Sequence, residues 1–166
     1  ALEATGAGEA CNVLLDGWLL DSGATDWVPD AEHTTRWAAS RAQLGRIGEA
    51  AMVLERLRIQ NPSDPELTSR AFRLRLLSDG RPEALAALAA LAKTLDGRAG
   101  TTARLVVAQA HGERGEHDAE YALLAAFEPE PDDPLRVAYL LNRVVAAADA
   151  GNVAAAVSAR DAWRAL

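Results

Sequence analysis

Apolar residues recur along the chain at helical spacing in short segments, and polar and turn-forming residues separate these segments. All 7 prolines lie between the apolar-periodic segments. Proline inside a helix removes a backbone hydrogen bond, so these positions mark where helices begin and end. The pattern predicts helices at roughly 8–21, 30–44, 47–60, 65–78, 82–95, 99–112, 116–128, 134–149 and 152–165.

Several predicted helices begin with residues that suit a helix N-terminus. Ser63 and Glu66 have the spacing of a capping box, with Pro65 in the first turn between them. Asp133 followed by a proline offers a second cap, and Pro82 marks another start. These signals support the helix starts independently of the hydrophobic pattern.

Composition favours helices over strands. Hydrophobic residues make up 49% of the chain and are mostly Ala and Leu, with few of the β-branched and aromatic residues that suit a sheet. Charged residues make up 25%, so the chain has the apolar content to fold and is not a disordered tail. We therefore expect an all-α fold, with the 166 residues forming a single domain.

Charge and cysteine content bear on partners and location. The net charge of -7 opposes binding to the phosphate backbone, so direct nucleic-acid binding is not expected. Cys11 is the single cysteine, which rules out an intramolecular disulfide and favours a cytoplasmic location. We see no apolar run long enough to span a membrane and no basic signal-peptide start. Because the chain begins with Ala1 and not Met, processing or excision from a longer protein stays open, as does a periplasmic or secreted location.

A repeat runs through the predicted helices. The connections between most of them are short, so consecutive helices are expected to lie antiparallel and to stack. A glycine at a turn is followed each time by a small residue early in the next helix, where close approach of two backbones would be possible. The glycines are Gly45, Gly80, Gly115 and Gly151, and the small residues are Ala50, Ala84, Ala119 and Ala155, at intervals of 34, 35 and 36 residues.

The first unit of this repeat resembles the tetratricopeptide repeat. Pro131 stands twelve residues after Ala119, as Pro62 does after Ala50. The second unit departs from the pattern, because Asp96-Gly97 occupies the place of that proline, and the motif's aromatic positions are largely aliphatic. The resemblance covers roughly residues 30–166 and is carried in the first unit by Leu44-Gly45 through Ala50, Leu54, Leu57 and Asn61-Pro62.

This resemblance implies a right-handed stack of antiparallel helix pairs, a tetratricopeptide-like α-solenoid of about eight or nine helices. Residues 1–28 would form an N-terminal capping helix and loop, and residues 29–166 about four helix-pair repeats. Trp37 is expected in the core of such a stack.

A second pattern runs through about the first 95 residues. Its members are Gly6, Glu9-Ala10, Leu14-Leu15, Gly17, Leu19-Leu20, Gly23, Asp26-Trp27-Val28, Arg36, Gly45 to Ala50, Asn61-Pro62, Glu66 and Gly80 to Leu85. This order of residues resembles the bacterial transcriptional activator domain. In regulators of that family the helical domain follows a winged-helix DNA-binding domain, and we find no winged-helix pattern in this sequence.

Candidate chemical sites are weak. His111 and His117 lie near Glu113 and Glu116, but their spacing matches no zinc pattern and a glycine-rich turn is expected to leave them solvated. The acidic run at 128–134 lacks the ligand alternation of a calcium loop, and its three prolines suggest an exposed linker. His33 has no nucleophile motif beside it, and Gly6-Ala7-Gly8 follows no strand. We expect no catalytic residues, no metal ligands, no cofactor and no enzyme activity.

The predicted binding residues follow from the tetratricopeptide resemblance. In such stacks the first helix of each pair lines a concave groove. Arg70 and Arg73 lie three apart on the face opposite the predicted buried face, which carries Leu67, Ala71, Leu74 and Leu77, so they are expected to project together. We expect this groove to be locally basic and to suit an acidic peptide or carboxylate end. The groove-facing residues implied by the resemblance are Arg36, Gln43, Arg70, Arg73, Arg104 and Gln109.

Two functions remain open at this point. One is a non-enzymatic scaffold that binds a partner segment in the groove. The other is a helical regulatory or dimerisation domain of a bacterial transcriptional activator without its DNA-binding domain. Homo-oligomers through apolar stack ends are possible in either case.

Overall fold

This computed structural model describes residues 31–165, and this part of the chain contains eight helices and no strand. The all-α prediction is confirmed for these residues. Several predictions lie outside these residues. They are the helix at 8–21, the capping segment at 1–28 and the part of the activator-domain resemblance that precedes residue 31. The helices are α1 (Ala31–Gln43), α2 (Ile47–Gln60), α3 (Pro65–Ser78), α4 (Pro82–Thr94), α5 (Gly97–Glu113), α6 (His117–Ala125), α7 (Arg136–Asp149) and α8 (Val153–Arg164).

Side-chain caps begin two of the helices, and both predicted caps are corrected. Asp133 does not cap α7, which begins at Arg136 with Leu135 at the N-cap position. Asp64 caps α3, because its Oδ1 accepts hydrogen bonds from the backbone N–H of Glu66 at 2.8 Å and of Leu67 at 3.0 Å. The N-cap is therefore Asp64 and not Ser63, which the predicted capping box with Glu66 had assigned. Asn152 caps α8 in the same manner through the N–H of Ala155 at 3.0 Å.

Three of the four predicted turn glycines share one backbone conformation. Gly45, Gly115 and Gly151 have φ between 72° and 77°, in the left-handed region where glycine carries no steric penalty. Each follows the first helix of a pair and reverses the chain into the second. Gly80 is not among the residues with positive φ, so the turn between α3 and α4 is built differently.

Packing follows the order of the chain, with a second set of contacts across it. Consecutive helices pack against one another, and α3 also packs against α5 and α5 against α7. The first helices of the second, third and fourth pairs thus lie side by side. Contacts between α3 and α4 are sparse, and α3 packs mainly against α2 and α5. Leu77, expected on the buried face near the end of α3, is 70% exposed.

Burial repeats in step with the turn glycines, but in the second and third pairs the buried residue comes one position after the predicted anchor. Ala50 is fully buried, whereas Ala84 is half-buried and Ala119 is exposed. The expectation that Ala119 allows close helix approach is therefore wrong. Counted from each turn glycine, the position five residues later is buried as Ala50, Leu85 and Glu120, and the position eight residues later is buried as Val53, Leu88, Leu123 and Ala159.

Two clusters of apolar side chains form the core, and α3 contributes to both. Trp37 and Leu54 belong to the first cluster, between α1, α2 and α3, as predicted for Trp37. Phe72 and Tyr139 belong to the second, which extends from α3 to α7. Ala71 faces the first cluster and Phe72 the second, so α3 joins the two halves of the described chain.

The acidic proline-rich segment at 128–134 is mostly exposed, as predicted, but two of its acidic side chains contact the helices. Asp133 is buried, and its Oδ2 accepts a 2.6 Å hydrogen bond from the Thr101 hydroxyl on α5. Glu128 pairs with Arg136 at 3.3 Å and with Arg143 at 3.0 Å. These contacts fix the position of α7 beside α5.

Candidate functional site

The first helices of the pairs line two surface depressions. The α1–α3 depression, of about 450 Å³, is lined by Glu32, Thr35, Arg36, Asp64, Glu66 and Arg70, among others. The α3–α5–α7 pocket, of about 410 Å³, is lined by Arg73, Thr102, Gln109, Glu113, Glu120 and Asn142, among others. Both volumes fall in the range of roughly 300 to 1,000 Å³ in which protein sites take ligands.

Two further depressions have apolar lining, and the first of them adjoins the α3–α5–α7 pocket. Arg73, Gln109 and Glu113 also border the α3–α5 depression of about 220 Å³, where Leu76, Leu77 and Val106 supply apolar surface. A further depression of about 360 Å³, the α2–α4 depression, is lined by Ala51, Met52, Leu88 and Leu91 on the second helices, among others. Sparse contact between α3 and α4 leaves room for it.

Arg36 and Arg70 are exposed and share the α1–α3 depression, as expected, but each is already paired. Arg36 forms an ion pair with Glu32, and Arg70 forms one with Glu66, both four residues earlier on the same helix. Asp64, which caps α3, adds a third carboxylate to the same lining. Three carboxylates against two guanidinium groups do not make the basic surface on which the expectation of an acidic partner depended.

Arg73 and Gln109 are exposed and share the α3–α5–α7 pocket. Gln109 donates from Nε2 to Glu113 Oε1 at 2.9 Å. Arg73 makes no ion pair or side-chain hydrogen bond with any residue that the structure describes. Gln43 is exposed at the last residue of α1 and lines neither of the two depressions.

Arg104 does not face the groove, and the expectation that it binds a partner is corrected. Its side chain is buried, with the residue 4% exposed. The guanidinium donates to the carbonyl oxygens of Leu95 at 2.9 Å and Lys93 at 3.2 Å, and its carbon lies 3.9 Å from the centre of the Phe127 ring. Burial lowers the pKa of Arg104 from its usual value. This arginine therefore holds the C-terminal end of α4 to α5.

The α3–α5–α7 pocket contains a buried hydroxyl without a partner. Thr102 is 8% exposed, and its Oγ1 makes no hydrogen bond. A buried hydroxyl left unpaired costs about 1–3 kcal/mol, so such groups are uncommon in folded proteins. Thr102 thus lines this pocket, but its hydroxyl is buried beneath the surface with unused hydrogen-bonding capacity.

The same pocket contains a buried carboxylate. Glu120 on α6 is 8% exposed and packs beside Gly112, where an added Cβ would lie 2.8 Å from its Oε2. Among the described residues its carboxylate makes one polar contact, a 3.3 Å approach to His117 Nδ1. A glycine at 112 therefore makes the space that this carboxylate occupies.

Sequence reasoning missed Thr102 and Glu120. A signal for Glu120 exists, because it occupies the buried position five residues after a turn glycine, where the other pairs have Ala50 and Leu85. A charged residue at an otherwise apolar repeat position is typical of a functional role. No comparable signal marks Thr102, since threonine is common on helices of any exposure.

His111 contacts a residue of the turn between α5 and α6. His111 is buried, contrary to the expectation of a solvated ring, and its Nδ1 lies 2.6 Å from Glu116 Oε2 across the turn. Within residues 31–165, no group of three or more His, Cys, Asp or Glu side chains is arranged to hold a metal ion. None of the helices in this range has the length and apolarity to cross a membrane.

Comparison of the chain with protein-family models, curated proteins and solved structures gives no match.

Proposed function

We propose that this chain is a non-enzymatic protein-interaction module, a tetratricopeptide-like stack of helix pairs that binds a segment of a partner protein. The binding surface consists of the exposed faces of α1, α3, α5 and α7. One observation carries the proposal: α3 borders three depressions on the first helices, and two of them share Arg73, Gln109 and Glu113.

The arrangement of the groove suits an extended or helical segment better than a small molecule. The α1–α3 depression and the α3–α5–α7 pocket are both open to solvent and both border α3, and the apolar surface of Leu76 and Leu77 lies beside the second of them. Segments that bind helical grooves place side chains at intervals along them, and separate depressions along a line provide for this.

Selection of peptides tests the proposal. A random peptide library displayed on phage would be selected against the purified chain, and the enriched peptides measured by fluorescence polarisation. Ser69→Trp adds a large side chain to the proposed groove on α3 without changing charge. Ser158→Trp makes the same change at an exposed position of α8. We expect Ser69→Trp to weaken binding at least about tenfold and Ser158→Trp to leave it unchanged.

Two results would contradict the proposal. In the first, no peptide is enriched above a library selected on an unrelated helical protein. In the second, enriched peptides bind Ser69→Trp and the unsubstituted chain equally well. Circular dichroism of both variants checks that each is folded.

A further inference from the structure

One face of α7 is apolar and exposed. It carries Val137, Leu141 and Val145, which are 49%, 40% and 55% exposed, together with exposed Ala138 and Ala148. Helical geometry places these five residues on one side of α7, and we call them the α7 strip. The opposite face of α7 packs into the core, so the strip is not needed to hold the helix in place. Contiguous apolar surface of this kind marks contact with another molecule.

The corresponding positions on α5 contact the pair that follows. Counted back from the turn glycine of each pair, Thr101 on α5 corresponds to Val137 on α7, and Leu105 corresponds to Leu141. Thr101 is buried and bonded to Asp133 in the connection to α7, and Leu105 lines the pocket between α5 and α7. The α7 strip is therefore the face with which a first helix packs against its neighbour, and it has no neighbour within residues 31–165.

The chemistry of the strip differs from that of α5. Val137 stands where α5 has the Thr101 hydroxyl, so the strip cannot bond to a buried carboxylate as Thr101 bonds to Asp133. A connection like the one that packs on α5 would leave its carboxylate unpaired there, which is unfavourable. Since the strip consists of valine, alanine and leucine, it suits an apolar helix face.

The strip is complementary to itself. Ala138, Leu141, Val145 and Ala148 have the alternating spacing of three and four residues found along a coiled-coil seam. Their sizes run small, large, large, small, so the order is the same in both directions. Two antiparallel copies of α7 would place Leu141 opposite Val145 and Ala138 opposite Ala148. Large side chains then meet at the centre, and small ones let the helices approach at both ends.

Charges on α7 oppose its own helix dipole. The first turn contains no acidic residue and the N-cap residue, Leu135, supplies no side-chain cap, whereas exposed Asp149 lies in a last turn without a basic residue. A carboxylate is favoured at a helix N-terminus and disfavoured at a C-terminus. Antiparallel pairing brings Asp149 of each copy beside Leu135 of the other. A second copy thus supplies the negative charge that the start of α7 lacks.

We propose that the α7 strip binds the same strip of a second copy of this chain, in an antiparallel two-fold dimer. This inference does not rest on the groove, because the strip is a separate surface of the last pair. Because the strip itself carries no charge, two chains with a net charge of -7 can meet there. A single helix face is smaller than a standard interface, so we expect a weak dimer with a Kd of about 100 µM.

Sedimentation equilibrium of the full chain tests the proposal between about 10 µM and 1 mM. Val145→Glu puts a charge in the strip, and we expect it to raise the Kd of the dimer at least about tenfold. Ile59→Glu is the control, since Ile59 on α2 is 62% exposed, close to the 55% of Val145. It should leave the Kd unchanged, and circular dichroism checks that both variants are folded.

Disulfide cross-linking tests the antiparallel order. Ala138→Cys and Ala148→Cys are made separately in a chain whose single cysteine is removed by Cys11→Ser. The two positions lie about 15 Å apart along α7, so an antiparallel dimer of either variant alone holds its thiols too far apart to bond. We expect a cross-linked dimer in an oxidised mixture of the two variants and not with either variant alone.

Three results would overturn the inference: a chain that stays monomeric to about 1 mM, an equal Kd for Val145→Glu and Ile59→Glu, or cross-linking of each cysteine variant with itself. A dimer that Val145→Glu leaves intact would lie on another surface. Asp149→Asn should weaken the dimer about threefold, and an unchanged Kd would exclude the contact between Asp149 and the start of α7. Peptide binding by a monomeric chain would leave the groove proposal standing, so the two proposals fail separately.

Discussion

The guanidinium of Arg104 lies over the ring of Phe127, 3.9 Å from its centre, and ties the end of α4 to α5 by donating to the Leu95 and Lys93 carbonyl oxygens. A cation stacked on an aromatic face and bonded to helix C-terminal carbonyls stabilises the packing of two helices. The second pair has sparse contact between its own helices, so α4 depends on α5 for its position.

Replacement of Arg104 tests this structural role. Arg104→Met keeps the apolar stem but removes the hydrogen bonds and the stacked charge, and we expect it to lower the free energy of unfolding by about 2 kcal/mol. Arg70→Met is the control, because exposed Arg70 is paired only on the surface and its loss should cost under about 0.5 kcal/mol. Urea denaturation measures both, and equal effects would contradict the assignment.

Adjacent threonines on α5 should respond in opposite directions to the same substitution. Thr101→Val leaves buried Asp133 without its 2.6 Å hydrogen bond and should destabilise the chain by about 1–3 kcal/mol. Thr102→Val removes a buried hydroxyl that makes no bond and should stabilise it by about 1 kcal/mol. Thermal unfolding of the two variants under one condition tests this, and a destabilised Thr102→Val would show that its hydroxyl is satisfied in the free chain.

Turn glycines differ in what they require. Gly115→Ala forces a Cβ into a backbone with φ of 73° and should cost about 1 kcal/mol, although no atom lies within 4 Å of the added carbon. Gly80→Ala meets equally open space at a residue without positive φ and should be close to neutral. Chemical denaturation distinguishes them, and equal costs would mean that the repeat of turn conformation has no energetic basis.

Stability at alkaline pH should depend on Tyr139. Burial raises the pKa of Tyr139 above its ordinary value of 10.0, and its hydroxyl donates to the Leu124 carbonyl at 3.1 Å. Because the folded pKa is the higher one, this contribution is complete below about pH 10 and is lost as pH rises toward the folded pKa. Tyr139→Phe should lose about 1 kcal/mol at neutral pH and show a weaker fall in unfolding free energy above about pH 10.

Tyr121→Phe, on half-buried Tyr121 of α6, is the control for the pH series. It should retain the alkaline fall of the unsubstituted chain. An identical pH dependence for Tyr139→Phe and the unsubstituted chain would contradict the role of Tyr139.

Helices were predictable from sequence because their signals are local. The bounds of α2 and α3 match the predicted 47–60 and 65–78, where proline and asparagine lie at the ends. The regular spacing of turn glycines was also visible. Burial was predicted less well. The residue predicted to pack against the neighbouring helix in the third pair was Ala119, but the buried residue is Glu120. Adjacent residues of a helix point in different directions, so an error of one position replaces a buried residue with an exposed one.

The surroundings of the candidate binding residues were predicted only in part, since long polar side chains have roles that their distant neighbours decide. Arg36, Arg70, Arg73 and Gln109 lie on the first helices and line surface depressions there. Arg104 has the same residue type on the same kind of helix, but Leu95 and Phe127 on other parts of the chain bury it. Asp133 is likewise buried by Thr101, 32 residues away, which composition alone could not indicate.

The proposed function requires a partner segment to bind along the first helices of the pairs and not along the second helices. Chemical-shift mapping of a phage-selected peptide on the isotopically labelled chain distinguishes these two surfaces. We expect the largest amide shifts at Ser69, Arg73, Gln109 and Asn142 on α3, α5 and α7. Largest shifts at Met52, Ala87 and Leu91, around the α2–α4 depression, would contradict it.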